Sequence, residues 1–443
     1  AKRQPGSSFK PVVLATAMNE GISPVTELES KPVSIDAGDR IWSVTNYDHT
    51  YLGRVSLARA IVSSDNTVYA QLTDIVGPKA IVKTAHSLGI RSHLSPYFSI
   101  GLGSGAVSPL EMARAYATIA NDGRRVDGSV FDNRPRVVET VEHFRSNRVD
   151  TNTPVPRQVL DQGQAELLTS MLQDVVREGT GKRAAIPGRE IAGKTGTTDN
   201  YGDAWFVGYT PDLVVAVWVG YPDALRPMLT EFNGEPVAGG TLPALIWKAF
   251  VEKTKDDPGH TFASPPYLGG ASTWVVRRGG QWQLDNGYCR GSRLIAYFSR
   301  GAPDKEADCK PNEVSVPLVV GMTKAGAEAT LAAQPLDANI AYAPAKAGKL
   351  PGIVLSQDPR SGGLSAHDSV TLWISKAEFG MLPNFVGSSI VDVQREAARL
   401  KLKLHAKTAP GRAGAVLKQR PEPGVAVARR MRVSVVVGDG SRS

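Results

Sequence analysis

The C-terminal part of the chain repeats itself. VPLVVG (316–321), SQDPRSGG (356–363) and VTLWIS (370–375) return as LPNFVG (382–387), KQRPEPG (418–424) and VSVVVG (433–438). Pro317 and Pro383 lie 66 residues apart, Gln357 and Gln419 62, and Val370 and Val433 63. A period held across three landmarks means two copies of one small unit. Each copy has a helical stretch, Ala-rich in the first and VDVQREAARLKL (391–402) in the second, among extended segments. The expectation is two α+β modules, over 313–376 and 379–440.

The rest of the chain changes period once. From residue 7 to about 180 the apolar spacing is helical, as in FKPVVLATAMNEG (9–21), VSLARAIVSSDNTVYAQLTDIVG (55–77) and QAELLTSMLQDVVREGTG (164–181). SPLEMARAYATIANDG (108–123) is the best marked helix: Ser108 can cap it, Pro109 fits its first turn and Glu111 completes a capping box. Strand patterns follow in EIAGKTGTT (190–198), AWFVGY (204–209) and LVVAVWVGY (213–221), the last two joined by a turn at Thr210-Pro211-Asp212. Helices first and an antiparallel meander later predict an α+β domain over 1–250. A Pro/Gly-rich extension, 251–312, carries Cys289 and Cys309.

Composition narrows the function classes. No apolar run approaches the roughly 18 residues of a membrane helix, and residues 1–20 lack a signal-peptide pattern. The formal charge is +8, and residues 376–443, with 5 Lys and 8 Arg against 5 Asp or Glu, carry 13 − 5 = +8 by themselves. Such a tail can meet an anionic polymer or surface, or be a solvated basic face; it holds no nucleic-acid-binding motif. Two cysteines without a C-x-x-C pair or clustered histidines argue against zinc. A disulfide between Cys289 and Cys309 fits an extracytoplasmic protein, with two free thiols as the alternative. GLGSGA (101–106) lacks the rest of a nucleotide-binding fingerprint. Trp205 and Phe206 read as core, and His49, His86 and His93 as structural.

Three short motifs carry chemistry together. They are Ser7-Ser8-Phe9-Lys10, Ser64-Asp65-Asn66 and Lys194-Thr195-Gly196-Thr197-Thr198. Each alone is weak. A serine hydroxyl needs a base to attack, and Lys10, three residues on, serves only if burial or a nearby cation lowers its pKa. Lys194 would be that cation. Ser64 would relay a proton to the leaving amine, and Asn66 would hold a substrate amide. The strand at 194–198 would take a substrate backbone as an added strand, with Gly196 leaving room. Thr195 and Thr197 with Lys194 suit a terminal carboxylate, and Thr198 completes the substrate-binding residues of this strand. The backbone N–H groups of Ser7 and Thr197 would stabilise an oxyanion.

S-x-x-K, S-D-N and K-T-G in this order form the motif set of penicillin-binding proteins and serine β-lactamases. QPGSSFKP (4–11), SSDNTVYAQL (63–72), VSPLEMARAYATIANDG (107–123) and AGKTGTTDNYGDAWFVGYTP (192–211) resemble the transpeptidase domain of class A penicillin-binding proteins. The C-terminal repeats resemble PASTA domains. The resemblance implies a serine β-lactamase/D,D-peptidase-like α+β fold, helices around an antiparallel sheet, followed by two small α+β PASTA-like modules. It implies crosslinking of peptidoglycan stem peptides through an acyl-enzyme on Ser7, inhibition by β-lactams, and no metal or cofactor. It also implies a place on the extracytoplasmic face of the bacterial membrane or in the wall, with muropeptides as candidate partners of the modules and nucleic acid as none.

Rival readings share the motifs. A class A β-lactamase needs a Glu with Asn four residues on, and none of Glu111, Glu139, Glu142, Glu166, Glu178 and Glu190 has one. A D,D-carboxypeptidase would let water resolve the acyl-enzyme. A wall-binding protein with an incomplete catalytic domain is the third alternative. In the family, strands of the sheet, a glycosyltransferase domain and a membrane anchor precede the nucleophile, whereas only six residues precede Ser7 here. The expectation is a fragment truncated at its N-terminus.

Overall fold

The computed structural model describes residues 2–37, 41–146, 148–255, 260–266, 269–299, 301–428 and 430–441. It divides into two units, one of residues 1–37, 42–275 and 293–304, the other of 38–41, 276–292 and 305–443.

The first unit is built around a buried helix. Helix α1 (Lys10–Asn19) has nine consecutive buried residues, Lys10 to Met18, so it contacts protein on every side. A 3-10 turn, Gly6–Phe9, leads into it. Strand β1 (Glu27–Ser30) pairs antiparallel with β2 (Gly53–Ser56). Helix α2 (Leu57–Ser63) ends at Ser64, which turns left-handed at φ 61° and ψ 37°. Asp65 at once caps α3 (Asn66–Val76) by accepting the Val68 N–H. The Ser-Asp-Asn motif is thus the break between two helices. Helix α4 (Pro109–Ala120) has the expected capping box between Ser108 and Glu111. Helix α5 (Gln162–Arg177) follows.

The sheet comes next. Strands β3 (Ala192–Thr197), β4 (Asp203–Tyr209) and β5 (Val214–Gly220) form an antiparallel meander with β4 central. Side chains of β4 alternate between its faces. Tyr209 bonds Thr169 of α5 at 2.9 Å and meets the Tyr116 ring of α4. Phe206 packs edge-on against Trp247 of α6 (Leu242–Val251). Trp205 and Phe206 are both fully buried, as core residues.

The second unit holds the repeats. In the first, α7 (Lys324–Ala332) accompanies β6 (Asp337–Pro344), β7 (Val354–Asp358) and β8 (Ser369–Lys376), with β8 central, parallel to β6 and antiparallel to β7. In the second, α8 (Ile390–Arg399) accompanies β9 (Lys403–Ala413), β10 (Val416–Arg420) and β11 (Arg432–Gly438) in the same order and sense. Each has its own core, around Val370, Leu372 and Ile374 or Val433, Val435 and Val437. The repeated glutamine fixes the start of each module: Gln357 accepts from the Val319 N–H, and Gln419 from the Phe385 N–H. Cys289 and Cys309 are joined by a disulfide. No helix among the described residues is long and apolar enough to cross a membrane.

Candidate active site

Two of the predicted side chains, Lys10 and Lys194, meet at the Ser64 hydroxyl, and Asn66 holds Lys10. Lys10 Nζ lies 2.5 Å from the Ser64 carbonyl, 2.8 Å from Asn66 Oδ1 and 3.3 Å from Ser64 Oγ. Lys194 Nζ donates to the same Ser64 Oγ at 2.9 Å. The left-handed turn makes this possible by aiming Ser64 out of the helix axis, between the central helix and the sheet.

Both lysines are fully buried. Burial, and next the Lys194 ammonium, push Lys10 well below the ordinary lysine range, while Asp65 pulls it partly back. Burial brings Lys194 down to about 7. Both effects favour the neutral amine of Lys10. The Tyr69 ring, itself buried, backs it at 5.4 Å.

Ser7 stands in the 3-10 turn and lines a cleft of about 590 Å³ together with Ser64, Asn66, Thr195, Thr197 and Thr198. Among the described residues no hydrogen bond ties its hydroxyl. The neighbouring Ser8 is fixed instead, donating to the Pro5 carbonyl at 2.7 Å while its own carbonyl accepts from Tyr116 at 2.6 Å. Trp205 Nε1 holds the Gln4 carbonyl at 2.8 Å. The turn is clamped on both sides and only Ser7 is left free to react.

The sheet edge differs in part from expectation. Gly196 does stand where a backbone approaches closely, but the approaching group is the chain's own: a Cβ there would lie 2.1 Å from the Pro5 carbonyl oxygen. The glycine admits the nucleophile turn. Asn66 spends its carbonyl on Lys10, and its amide nitrogen lies 3.4 Å from the Thr45 carbonyl. Its carbonyl orients the Lys10 amine. Thr195 Oγ1 lies 2.6 Å from Thr180 Oγ1, Thr197 Oγ1 accepts from the Gly239 N–H at 3.0 Å, and Thr198 Oγ1 accepts from the Asp203 N–H at 2.9 Å. Because the Thr198 N–H bonds Asp203 on β4, ladder alternation turns the Thr197 N–H towards the open edge.

Several contributors carried no usable sequence signal. Asp65 is buried and accepts from Ser30, Asn46, Thr67 and Val68 at 2.5–2.9 Å. Burial alone would raise its pKa, yet these bonds hold it below the usual carboxylate value. Gly103, in the glycine-rich segment at 101–106, lets the nucleophile turn approach: a Cβ there would lie 2.1 Å from the Gly6 carbonyl oxygen. No group of three His, Cys, Asp or Glu among the described residues could hold a metal.

Comparison with known proteins identifies the family. The family described as "Penicillin binding protein transpeptidase domain" matches residues 1–238. The chain belongs to the penicillin-binding protein transpeptidase family. The PASTA domain family matches 314–376 and 380–439, so two PASTA domains complete the chain. Penicillin-binding protein 1A of Aquifex aeolicus is 35% identical over 269 residues, covering 60% of this chain and 35% of that protein. The Pseudomonas aeruginosa protein of the same name is 33% identical over 314 residues, covering 60% and 38%. The chain thus spans little more than a third of these curated relatives. Among solved structures, the Mycobacterium tuberculosis PonA1 protein in complex with penicillin V is 28% identical, covering 60% of this chain and 73% of that one at a TM-score of 0.50. The α+β fold of this penicillin-binding protein family is the one expected.

Proposed function

We infer that this chain performs the acyl-transfer step of peptidoglycan crosslinking, as a serine D,D-transpeptidase. One observation carries the reading: a fully buried lysine, Lys10, pushed towards its neutral form, stands beside a serine shared with a second lysine. A buried amine of that kind is a base waiting for a proton. Ser7 Oγ attacks the carbonyl between the two terminal D-alanines of a stem peptide, and its proton passes to Lys10. The tetrahedral oxyanion is held by the outward N–H groups of Ser7 and Thr197. As the C–N bond breaks, the proton moves through Ser64 to the departing D-alanine amine, leaving an ester on Ser7. The amine of a second stem peptide then attacks that ester, gives its proton back along the same path, and forms the crosslink. Lys194, with Thr195 and Thr197, binds the terminal carboxylate.

A β-lactam meets the same groups, its ring amide in place of the scissile bond, and the opened ring stays on Ser7. The Cys289–Cys309 disulfide supports an oxidising compartment outside the cytoplasm, and the PASTA domains fit contact with wall muropeptides. The test is to supply a pentapeptide stem with an excess of a D-amino acid acceptor and to analyse the products. Release of D-alanine with acceptor incorporation is expected. D-alanine release with hydrolysis alone would make the protein a carboxypeptidase, and no release would remove the acyl-transfer reading.

A further inference from the structure

The two PASTA domains share one sheet topology and differ on one face of it. In the second domain the register pairs Lys403 with Arg432, His405 with Ser434 and Lys407 with Val436, and across the central strand Lys418 with Val436 and Arg420 with Ser434. Paired residues share a face, and successive residues of a strand alternate between faces. Lys403, Lys407, Lys418, Arg420 and Arg432 therefore stand together, with His405, on the face opposite the buried Val433, Val435 and Val437. All six are exposed. No strand position of that face carries an acid, and among the described residues none of the five Lys and Arg side chains has an ion-pair partner.

The corresponding face of the first domain has the opposite character. There Asp337 pairs with Ser369, Asn339 with Thr371 and Asp358 with Thr371, and its strand positions hold no Lys or Arg. One fold thus presents a bare cationic sheet in one copy and a weakly acidic one in the other, so the charge is not a requirement of the fold.

We propose that this sheet face of the second PASTA domain binds an extended anionic polymer with a phosphodiester backbone. Lys418 and Arg420 stand roughly 6.6 Å apart along one outer strand, Lys403 and Lys407 about 13 Å apart along the other, and Arg432 lies across from Lys403 on the central strand at about 4.8 Å, an array that a chain of repeated phosphates can follow. The face offers no aromatic ring for stacking bases, as single-stranded nucleic acid requires. Its apolar side chains are few, a partly buried Val436 between Lys407 and Lys418 and Leu417 at the neighbouring bulge, too little to enter a bilayer as an amphipathic helix does. The reading is independent of the chemistry at Ser7.

The experiment measures binding of a fluorescent poly(glycerol phosphate) chain to the full-length chain between 50 and 200 mM salt. Lys403→Gln with Lys407→Gln should weaken binding roughly tenfold and flatten the log–log salt slope by about 0.7 per cation removed. Arg395→Gln with Arg399→Gln, an equal loss of charge on the exposed part of the helix, should leave binding unchanged. Unaltered thermal melting of both variants, at exposed positions, keeps the comparison clean. Equal weakening by both pairs would mean that only net charge matters and would overturn the assignment. So would absence of binding by the unmodified chain. Preference for vesicles of phosphatidylglycerol and phosphatidylcholine, or for an oligonucleotide, over the polymer would also overturn it.

Discussion

Lys194 donates a hydrogen bond to Ser64 at 2.9 Å across 130 residues of chain. This contact turns two separate motifs into one site, because Ser64 is also within 3.3 Å of Lys10. A hydroxyl between two buried amines, both shifted towards their neutral forms, is a path along which a proton can move in either direction, as formation and resolution of an acyl-enzyme both require.

Replacing Lys10 by Met keeps the buried volume and removes the amine. Acylation by penicillin should fall by at least about a thousandfold, the upper part of what general-base catalysis contributes. Stability should fall by about 2–4 kcal/mol, since the Ser64 carbonyl and Asn66 Oδ1 lose their donor. Stopped-flow acylation and urea denaturation measure the two effects, and acylation within tenfold of the unmodified chain would exclude Lys10 as the base.

The pH profile follows from the two lysines. The site needs Lys10 neutral and Lys194 charged. Lys10 is held well below the ordinary lysine range and Lys194 loses its proton near pH 7. The second-order constant for acylation, which reports on the free protein, should rise through the Lys10 titration and fall as pH climbs through about 7. Lys194→Arg, which keeps its charge, should lose the falling limb. A flat profile from pH 6 to 9 in the unmodified chain would contradict the assignment.

Gly196→Ala places a Cβ 2.1 Å from the Pro5 carbonyl oxygen, a contact with backbone on both sides. We expect destabilisation of about 3 kcal/mol or more and loss of penicillin binding through displacement of the Ser7 turn. Thermal melting and labelling check this together. An alanine variant with unchanged melting would show that strand and turn separate easily.

Asp65→Asn removes a buried carboxylate that accepts four hydrogen bonds. At pH 7 the loss should be about 2–4 kcal/mol. The folded pKa lies below the unfolded value of 3.8. The contribution is therefore present above pH 3.8 and lost as pH falls through the folded value, so the two proteins should converge in stability under acid. Denaturation curves at pH 7 and pH 3 would reveal a pH-independent gap if this were wrong.

What the sequence made legible was what repeats or keeps its spacing locally. The β4–β5 hairpin, the capping box at Ser108 and the second Gln-x-Pro each rest on residues a few positions apart. The three motifs were legible only in their order. Their contacts were not, because Tyr69 beneath Lys10, Asn46 beside Asp65 and Thr180 against Thr195 are set by packing between segments distant in sequence. The contacts of Asn66 with Lys10 and of Gly196 with the Pro5 turn were not legible either, because a motif names residues without saying which atoms the fold uses. Helix α1 is buried all round, so its pattern announces a helix and hides that it is the centre.

The central claim is that Ser7 is the nucleophile. The most direct measurement is mass spectrometry of the chain after incubation with penicillin, followed by peptide mapping. One penicilloyl adduct is expected, on the peptide containing Ser7, absent in Ser7→Ala. An adduct on another serine, or undiminished labelling of the Ser7→Ala variant, would contradict it.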